Sequence, residues 1–173
     1  MTVAWENKIN LTAALRMAAR LDLHEGVDNH FSLMTSDKPF RFLLNPNRRH
    51  WSQLRASELV EVDESGKPIS DSEPPERTAF FIHSRIHMAC PQAKCILHTH
   101  MRYATAVTMI EGGRLEPVVQ SALKFFGQIA YMDDFGGLAL DGDEGDRLAR
   151  ALGEKRILFL ANHGVIVVGP SVA

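Results

Sequence analysis

Two apolar runs that end in histidine constrain this chain more than any other feature. Lys94-Cys95-Ile96-Leu97-His98-Thr99-His100 holds a short apolar stretch with a β-branched residue, which predicts a buried strand. Side chains two apart on a strand leave the same face, so His98 and His100 are expected to point the same way. The second run, Leu158-Phe159-Leu160-Ala161-Asn162-His163-Gly164, predicts another strand that delivers His163 at its end, where Asn162 and Gly164 let the backbone turn. If the two strands are neighbours, three imidazoles gather at one end of a sheet and form a metal site with coordination positions left open. Imidazoles are donors suited to zinc, iron(II), cobalt or nickel, and poor partners for calcium or magnesium. The plainer alternative is that each His is a satisfied core or surface residue. A His-x-His pair alone does not separate the two readings; the third His at a strand terminus favours the metal.

The 173 residues suit one domain, long enough to bury roughly 70% of the unfolded surface without disulfide or metal staples. A hydrophobic fraction of 45%, a charged fraction of 23% and a net charge of −2 argue against a nucleic-acid or membrane partner. Cys90 and Cys95 fall at a helix end and inside a strand, which is neither a metal-ligand nor a redox spacing, and they are expected to be reduced thiols in the cytoplasm. Met1 to Leu11 lacks the apolar core of a signal peptide, and no apolar run reaches the ~18 residues of a membrane span. Pro170-Ser171 directly after a strand resembles a helix start, so the chain is expected to stop just as an element begins.

Taken in order, Glu6 to Leu21 predicts an amphipathic helix with Ile9, Ala13, Leu15, Ala18 and Leu21 on its apolar stripe and Lys8, Arg16 and Arg20 toward solvent. A turn at Gly26 and Asp28-Asn29 leads into a strand through Leu33, and Lys38-Pro39 turns it into a hairpin partner from Phe40 to Leu44. In the loop Asn45-Pro46-Asn47-Arg48, amide and guanidinium groups either hold a carboxylate or phosphate or form a solvated turn. A helical turn at Ser57-Glu58, a strand from Leu59 to Val62 and a polar loop from Pro68 to Pro75 follow. Ala79, Ile82, Ile86 and Met88 then predict a helix from Glu76 to near Pro91. His83 and His87 share one face of it; they form a second metal pair or a packed pair, and without an accompanying acid packing is favoured. Further helices are expected at 103–110, 117–126 and 142–152, and further strands at 127–131, 156–160 and 165–168.

His98-Thr99-His100 with Tyr103-Ala104-Thr105-Ala106, His163-Gly164 after a strand, Asp28-Asn29-His30-Phe31-Ser32, and Leu44-Asn45-Pro46 with Ala56-Ser57-Glu58-Leu59 together resemble the class II aldolase/adducin domain family. The resemblance implies one domain over residues 1–173, without the C-terminal helices of that family. It implies an α/β fold in three αβα layers around a mixed, largely antiparallel sheet, and a cyclic homotetramer with sites near subunit boundaries. It also implies a divalent transition metal, zinc first and iron(II) second, on His98, His100 and His163. Family aldolases hold a substrate phosphate with an Asn at the position of Asn29 and a loop at the position of Asn45 to Arg48.

The chain departs from that pattern where the chemistry moves protons. The acid/base Glu of the aldolases falls on Ala79, and a proton-donating Tyr falls near Ser121; Glu76, or Glu73 in the preceding loop, is the candidate replacement. The expectation is therefore an aldolase- or decarboxylase-type lyase acting on a small hydroxy- or oxo-carbonyl substrate chelated by the metal. The alternative is a non-catalytic, adducin-like assembly module with a structural or leftover metal. A ligating imidazole needs a partner on its other ring nitrogen, and Asn162, or a carbonyl near it, is expected to orient His163.

Overall fold

The computed structural model describes residues 2–137 and 141–172. It contains α1 (Val3–Arg20), the hairpin β1 (His30–Asp37) and β2 (Phe40–Leu44), and two 3-10 turns at Trp51–Gln53 and Ala56–Glu58. After these come β3 (Val60–Asp63), α2 (Arg77–Ala89), β4 (Cys95–Thr99), α3 (Arg102–Thr108) and α4 (Gln120–Leu123). The remaining elements are β5 (Ile129–Met132), α5 (Gly142–Leu152), β6 (Ile157–Leu160) and β7 (Gly164–Gly169). The strands form one sheet in the order β3-β2-β1-β4-β7-β6-β5. Every pair is antiparallel except β5 with β6.

Alternation along the strands separates two faces. On one, Ile96, Leu158, Leu160, Ile166 and Val168 pack against Ile82 and Ile86 of α2 and Leu148 and Leu152 of α5. On the other, Phe31, Leu33, Leu43 and Cys95 pack against Leu11, Leu15 and Ala18 of α1 and against Trp51. Further along that sheet, Phe159 and Val165 meet Ala104 and Val107 of α3. The result is the expected three-layer αβα fold around a mixed, mostly antiparallel sheet.

Three expected elements need correction. The buried stripe of α1 is Leu11, Thr12, Leu15 and Ala18, whereas Ile9, Ala13 and Leu21 are exposed. The i, i+4, i+7 spacing of 11, 15 and 18 sets that face, and Ile9 and Ala13 lie on the opposite side of the helix. In α2, Ala79, Ile82 and Ile86 are buried as expected, but Met88 is exposed, and His83 and His87 take the inward positions. The helix expected over 117–126 shrinks to Gln120–Leu123. Val118, Leu123 and Phe126 around it face solvent, so little core burial sustains a longer helix.

Trp51 anchors the layer under α1. It is 1% exposed, its ring lies 4.6 Å from that of Phe31, and His24 stacks on it at 5.7 Å. Trp51→Ala is expected to cost about 3–5 kcal/mol, read by urea denaturation, because the rigid strands and α1 cannot close around the void. A loss below about 1 kcal/mol would show that this layer is not close-packed.

Candidate metal centre

The β1–β4 pairing sets His30 directly opposite His98, and β4 pairs with β7 on its other side. The start of β1, the end of β4 and the β6–β7 turn therefore meet at one end of the sheet. His98 lies inside β4, on the face that looks toward α2. His100 lies just beyond the end of the strand, so strand alternation does not aim its ring. Its backbone N–H donates instead to Asn29 Oδ1 at 3.3 Å. His163 sits in the tight turn between β6 and β7, where Asn162 adopts the left-handed conformation (φ 56°).

The three rings converge. Their centroids are 5.0 Å apart for His98 and His100, 4.8 Å for His98 and His163, and 4.9 Å for His100 and His163. One ligand atom from each lies within 4.8 Å of the others. The hydrogen bonds behind the rings define their tautomers. His98 Nδ1 is 3.1 Å from the Val165 carbonyl oxygen, and His100 Nδ1 is 2.6 Å from Glu25 Oε2. Both partners only accept, so each Nδ1 carries the hydrogen and Nε2 is the atom turned inward. Those Nε2 atoms are 3.2 Å apart. Two lone pairs at that distance repel unless a cation, a shared proton or a metal, lies between them. A tetrahedral zinc with bonds of roughly 2.0–2.1 Å sets its nitrogens about 3.3 Å apart, so the donor set fits such an ion. Burial, then the neighbouring His30, holds His98 well below the ordinary imidazole range. Burial, then His100, brings His163 down to about 4, which leaves it a neutral donor near pH 7.

Nothing local in the sequence marks Glu25, because its partner His100 lies 75 residues away. A carboxylate behind a ligating imidazole makes the ring more basic and fixes its direction. Glu25→Gln is expected to lower zinc affinity roughly 10–100-fold in a chelator competition, with little change in thermal stability of the metal-free chain. Affinity equal to wild type would remove Glu25 from the site. Asn162 does not play the role expected for it: among the described residues, no hydrogen bond runs from its side chain to the His163 ring. Its contribution is the left-handed backbone of the turn, anchored by its N–H to the Thr108 carbonyl at 3.0 Å.

A cavity of about 680 Å³ opens over the histidines, walled by Asn29, His30, Asn45, Glu76, Ala79 and Phe135 among others. Asn29 Oδ1 accepts from the N–H of Glu25 at 2.7 Å as well as from His100, while its buried Nδ2 has no hydrogen-bond partner. That leaves an oriented amide donor at the cavity wall. Asn45 spends its amide on the scaffold: Oδ1 accepts from Phe31 N–H at 2.9 Å, and Nδ2 donates to the Asn29 carbonyl at 3.3 Å. Glu76 caps α2 and accepts from Ala79 N–H and the Thr78 hydroxyl. Burial alone would push its carboxyl up, but those hydrogen bonds outweigh burial and hold it below the ordinary range. Glu73 and Arg48 are exposed and stand apart from the cavity lining, although Asn47 and Glu76, close to them in the chain, belong to it. Ala79, at the expected position of the acid/base Glu, is buried in the wall.

Residues 9–173 match the family described as Class II Aldolase and Adducin N-terminal domain. A structure of an aldolase II superfamily protein from Pseudomonas syringae superposes with a TM-score of 0.92 at 34% identity, over 99% of this chain and 69% of that one. L-fuculose 1-phosphate aldolase from Glaciozyma antarctica PI12 gives 0.82 at 27% identity, over 98% and 65%. Decarboxylase NovR of Streptomyces niveus is 30% identical over 167 residues, 95% of this chain and 62% of its own. The chain spans less than two thirds of the length of the curated relatives it matches. Fold, histidine cluster and sequence agreement from residue 9 onward lead to one conclusion: the chain belongs to the class II aldolase and adducin N-terminal domain family.

Proposed function

We propose that this chain is a metal-dependent lyase of aldolase or decarboxylase type that acts on a small hydroxy- or oxo-carbonyl compound in the cavity. His98, His100 and His163 hold a divalent transition metal, zinc first and iron(II) second. The observation that carries the reading is the 3.2 Å approach of the His98 and His100 Nε2 atoms, each with its hydrogen committed to the opposite side of the ring. When bound, the metal supplies Lewis acidity at a carbonyl or hydroxyl oxygen and so favours cleavage of the adjacent carbon–carbon bond.

The chain's own residues divide the remaining work. Asn29 Nδ2 donates to an anionic group of the substrate. Asn45 holds Asn29 in place and closes the cavity at the end of β2. Glu76, ionised by its hydrogen bonds, is the carboxylate of the cavity wall nearest in sequence to Ala79, and it takes the proton-accepting role that Ala79 cannot; Glu25, Asp28 and Glu144 also line the cavity. Glu73 and Arg48, being exposed, would have to swing inward to take part. Relatives that the names describe as an L-fuculose 1-phosphate aldolase and a decarboxylase support the carbon–carbon lyase class.

A second reading, an adducin-like assembly module with a structural metal, draws support from Ala79, from the Asn29-His30-Phe31-Ser32 and Asn45-Pro46 loops, and from relatives such as adducin-related protein 1 of Caenorhabditis elegans, 32% identical over 165 residues. Elemental analysis of protein purified without chelator tests the metal: about one zinc or iron per chain is expected, lost in the combined His98→Ala, His100→Ala and His163→Ala variant. A metal-free wild type sinks the lyase reading. A metal-loaded chain that releases neither carbon dioxide nor an aldehyde from short 2-hydroxy, 2-oxo and phosphorylated hydroxy substrates favours the module.

The proposed assembly is a homo-oligomer, a tetramer by family analogy. Tyr103, Val118 and Phe126 are 83%, 82% and 73% exposed, large apolar side chains of the kind a partner copy would cover. A monomer mass by light scattering would overturn this. The two free, buried cysteines suit a reducing compartment such as the cytoplasm. Among the described residues, no helix is long and apolar enough to cross a membrane.

A further inference from the structure

Beneath the cavity lies a second set of imidazoles that the proposed chemistry does not use. His30 opens β1 and contributes to the cavity wall, with its ring centroid 4.8 Å from that of His98. Its Nδ1 is 2.7 Å from Nε2 of His83, and Nδ1 of His83 is 2.5 Å from the Ser32 hydroxyl. That hydroxyl is 2.7 Å from Nε2 of His87, whose Nδ1 is 2.6 Å from the carbonyl oxygen of Ala93. His30, Ser32, His83 and His87 are 6%, 0%, 0% and 3% exposed.

The direction of the whole chain is set at its far end. A carbonyl oxygen only accepts, so His87 donates from Nδ1. Burial keeps His83 and His87 neutral, so His87 Nε2 is bare and must accept from Ser32. A hydroxyl has one hydrogen; having given it to His87, Ser32 accepts from His83 Nδ1–H. Neutral His83 then has a bare Nε2 that accepts from His30 Nδ1–H. His30 Nε2 is left with a free lone pair, and no other described residue bonds to it. Reversing the order would set the His87 Nδ1 lone pair against a carbonyl oxygen in a buried site.

We propose that this relay locks His30 in its Nδ1–H tautomer and makes its Nε2 the hydrogen-bond acceptor for a substrate hydroxyl, one beyond the oxygens that reach the metal. The substrate class narrows accordingly to hydroxy acids or sugar derivatives with an additional hydroxyl near the chelating pair. Ser32, His83 and His87 act as positioning residues through His30. The ligand half of the proposal rests on the lyase reading; the tautomer half does not.

The tautomer half is tested on the full chain, labelled with 15N-histidine and without added metal, by long-range 1H–15N correlation. His30, His83 and His87 are each expected to show a protonated Nδ1 and a bare Nε2. A His30 protonated on Nε2 overturns the relay. Ser32→Ala cuts the link between His83 and His87, and His30 should then lose its single tautomer; an unchanged His30 also overturns the proposal.

For the ligand half, zinc-loaded protein is titrated with D-glycerate and D-lactate, which share one 2-hydroxy-carboxylate and differ by one hydroxyl. Wild type should prefer glycerate on the order of tenfold, the value of one satisfied hydrogen bond. His30→Phe should erase the preference. Equal affinities in wild type defeat the ligand half. A chain that retains no zinc defeats the lyase reading and the ligand half together, while the tautomer result stands or falls by itself.

Discussion

Gly164→Ala is expected to weaken metal binding about as much as His163→Ala, although it adds only a single methyl group and removes no ligand. A Cβ at this glycine would lie 2.6 Å from the Thr99 carbonyl oxygen and 2.9 Å from Cδ2 of His100. Backbone cannot yield there, because Thr99 pairs with Val165 in the β4–β7 ladder. The His100 ring must therefore move, and with it the Nε2 that faces His98. Structural zinc sites bind with roughly 10–16 kcal/mol across four ligands, so one ligand lost or misplaced costs about 3 kcal/mol, on the order of a hundredfold in affinity. Chelator competition on both variants measures this, with circular dichroism to confirm that each folds. Gly164→Ala binding zinc like wild type would show that the strands give way more easily than the ring. His163→Ala binding like wild type would remove the third ligand and the lyase reading with it.

Stability measured in the presence of a chelator should fall by several kcal/mol as the pH drops from 6.5 toward 4. His83 and His87 are buried in the relay beneath the cavity, and burial depresses both: His87 to about 4, His83 well below its ordinary value. The unfolded chain takes up protons on these residues near pH 6.5, whereas the folded chain resists until much lower pH. Between the two values the unfolded state binds more protons, so acid favours unfolding. The contribution is complete above pH 6.5 and is lost as the pH falls through the window. His87 alone is worth on the order of 3 kcal/mol. Urea midpoints at pH 7.5, 6, 5 and 4.5 check this; a flat profile across that range would mean the histidines are hydrated or already charged in the native state.

Much of the architecture was legible because it rests on local patterns. The apolar run of β4, the hairpin at Lys38-Pro39, the acidic start and basic end of α5, and the 79–82–86 stripe of α2 each announce an element by periodicity or by dipole and turn chemistry. Where the reading slipped, a longer-range contact decided the outcome. In α1, Ile9, Ala13 and Leu21 fit a helical period, yet the sheet packs against the 11–15–18 face and leaves all three exposed. Over 117–126 only Ala122 is buried, and Val118, Leu123 and Phe126 face solvent, so no apolar stripe holds a longer helix to the core.

The site divides in the same way. Sequence alone brought His98, His100 and His163 to the ends of two apolar runs with metal chemistry in reach, since histidine spacing and the Asn-His-Gly turn are properties of short segments; the direction of the His100 ring, beyond the end of β4, was set by Asn29 and Glu25. It also paired His83 with His87 on one helical face, and strand alternation implies the same for His30 and Ser32. Only the tertiary structure joined those two pairs into one buried chain, placed Glu25 behind His100, and made Gly164 the point where two strands nearly touch. Glu73 and Arg48 were left outside the cavity by the same packing. The physical reason is that a hydrogen-bond partner 50 or 75 residues away leaves no local trace: its position depends on how helices and strands pack, and that packing is a property of the whole chain.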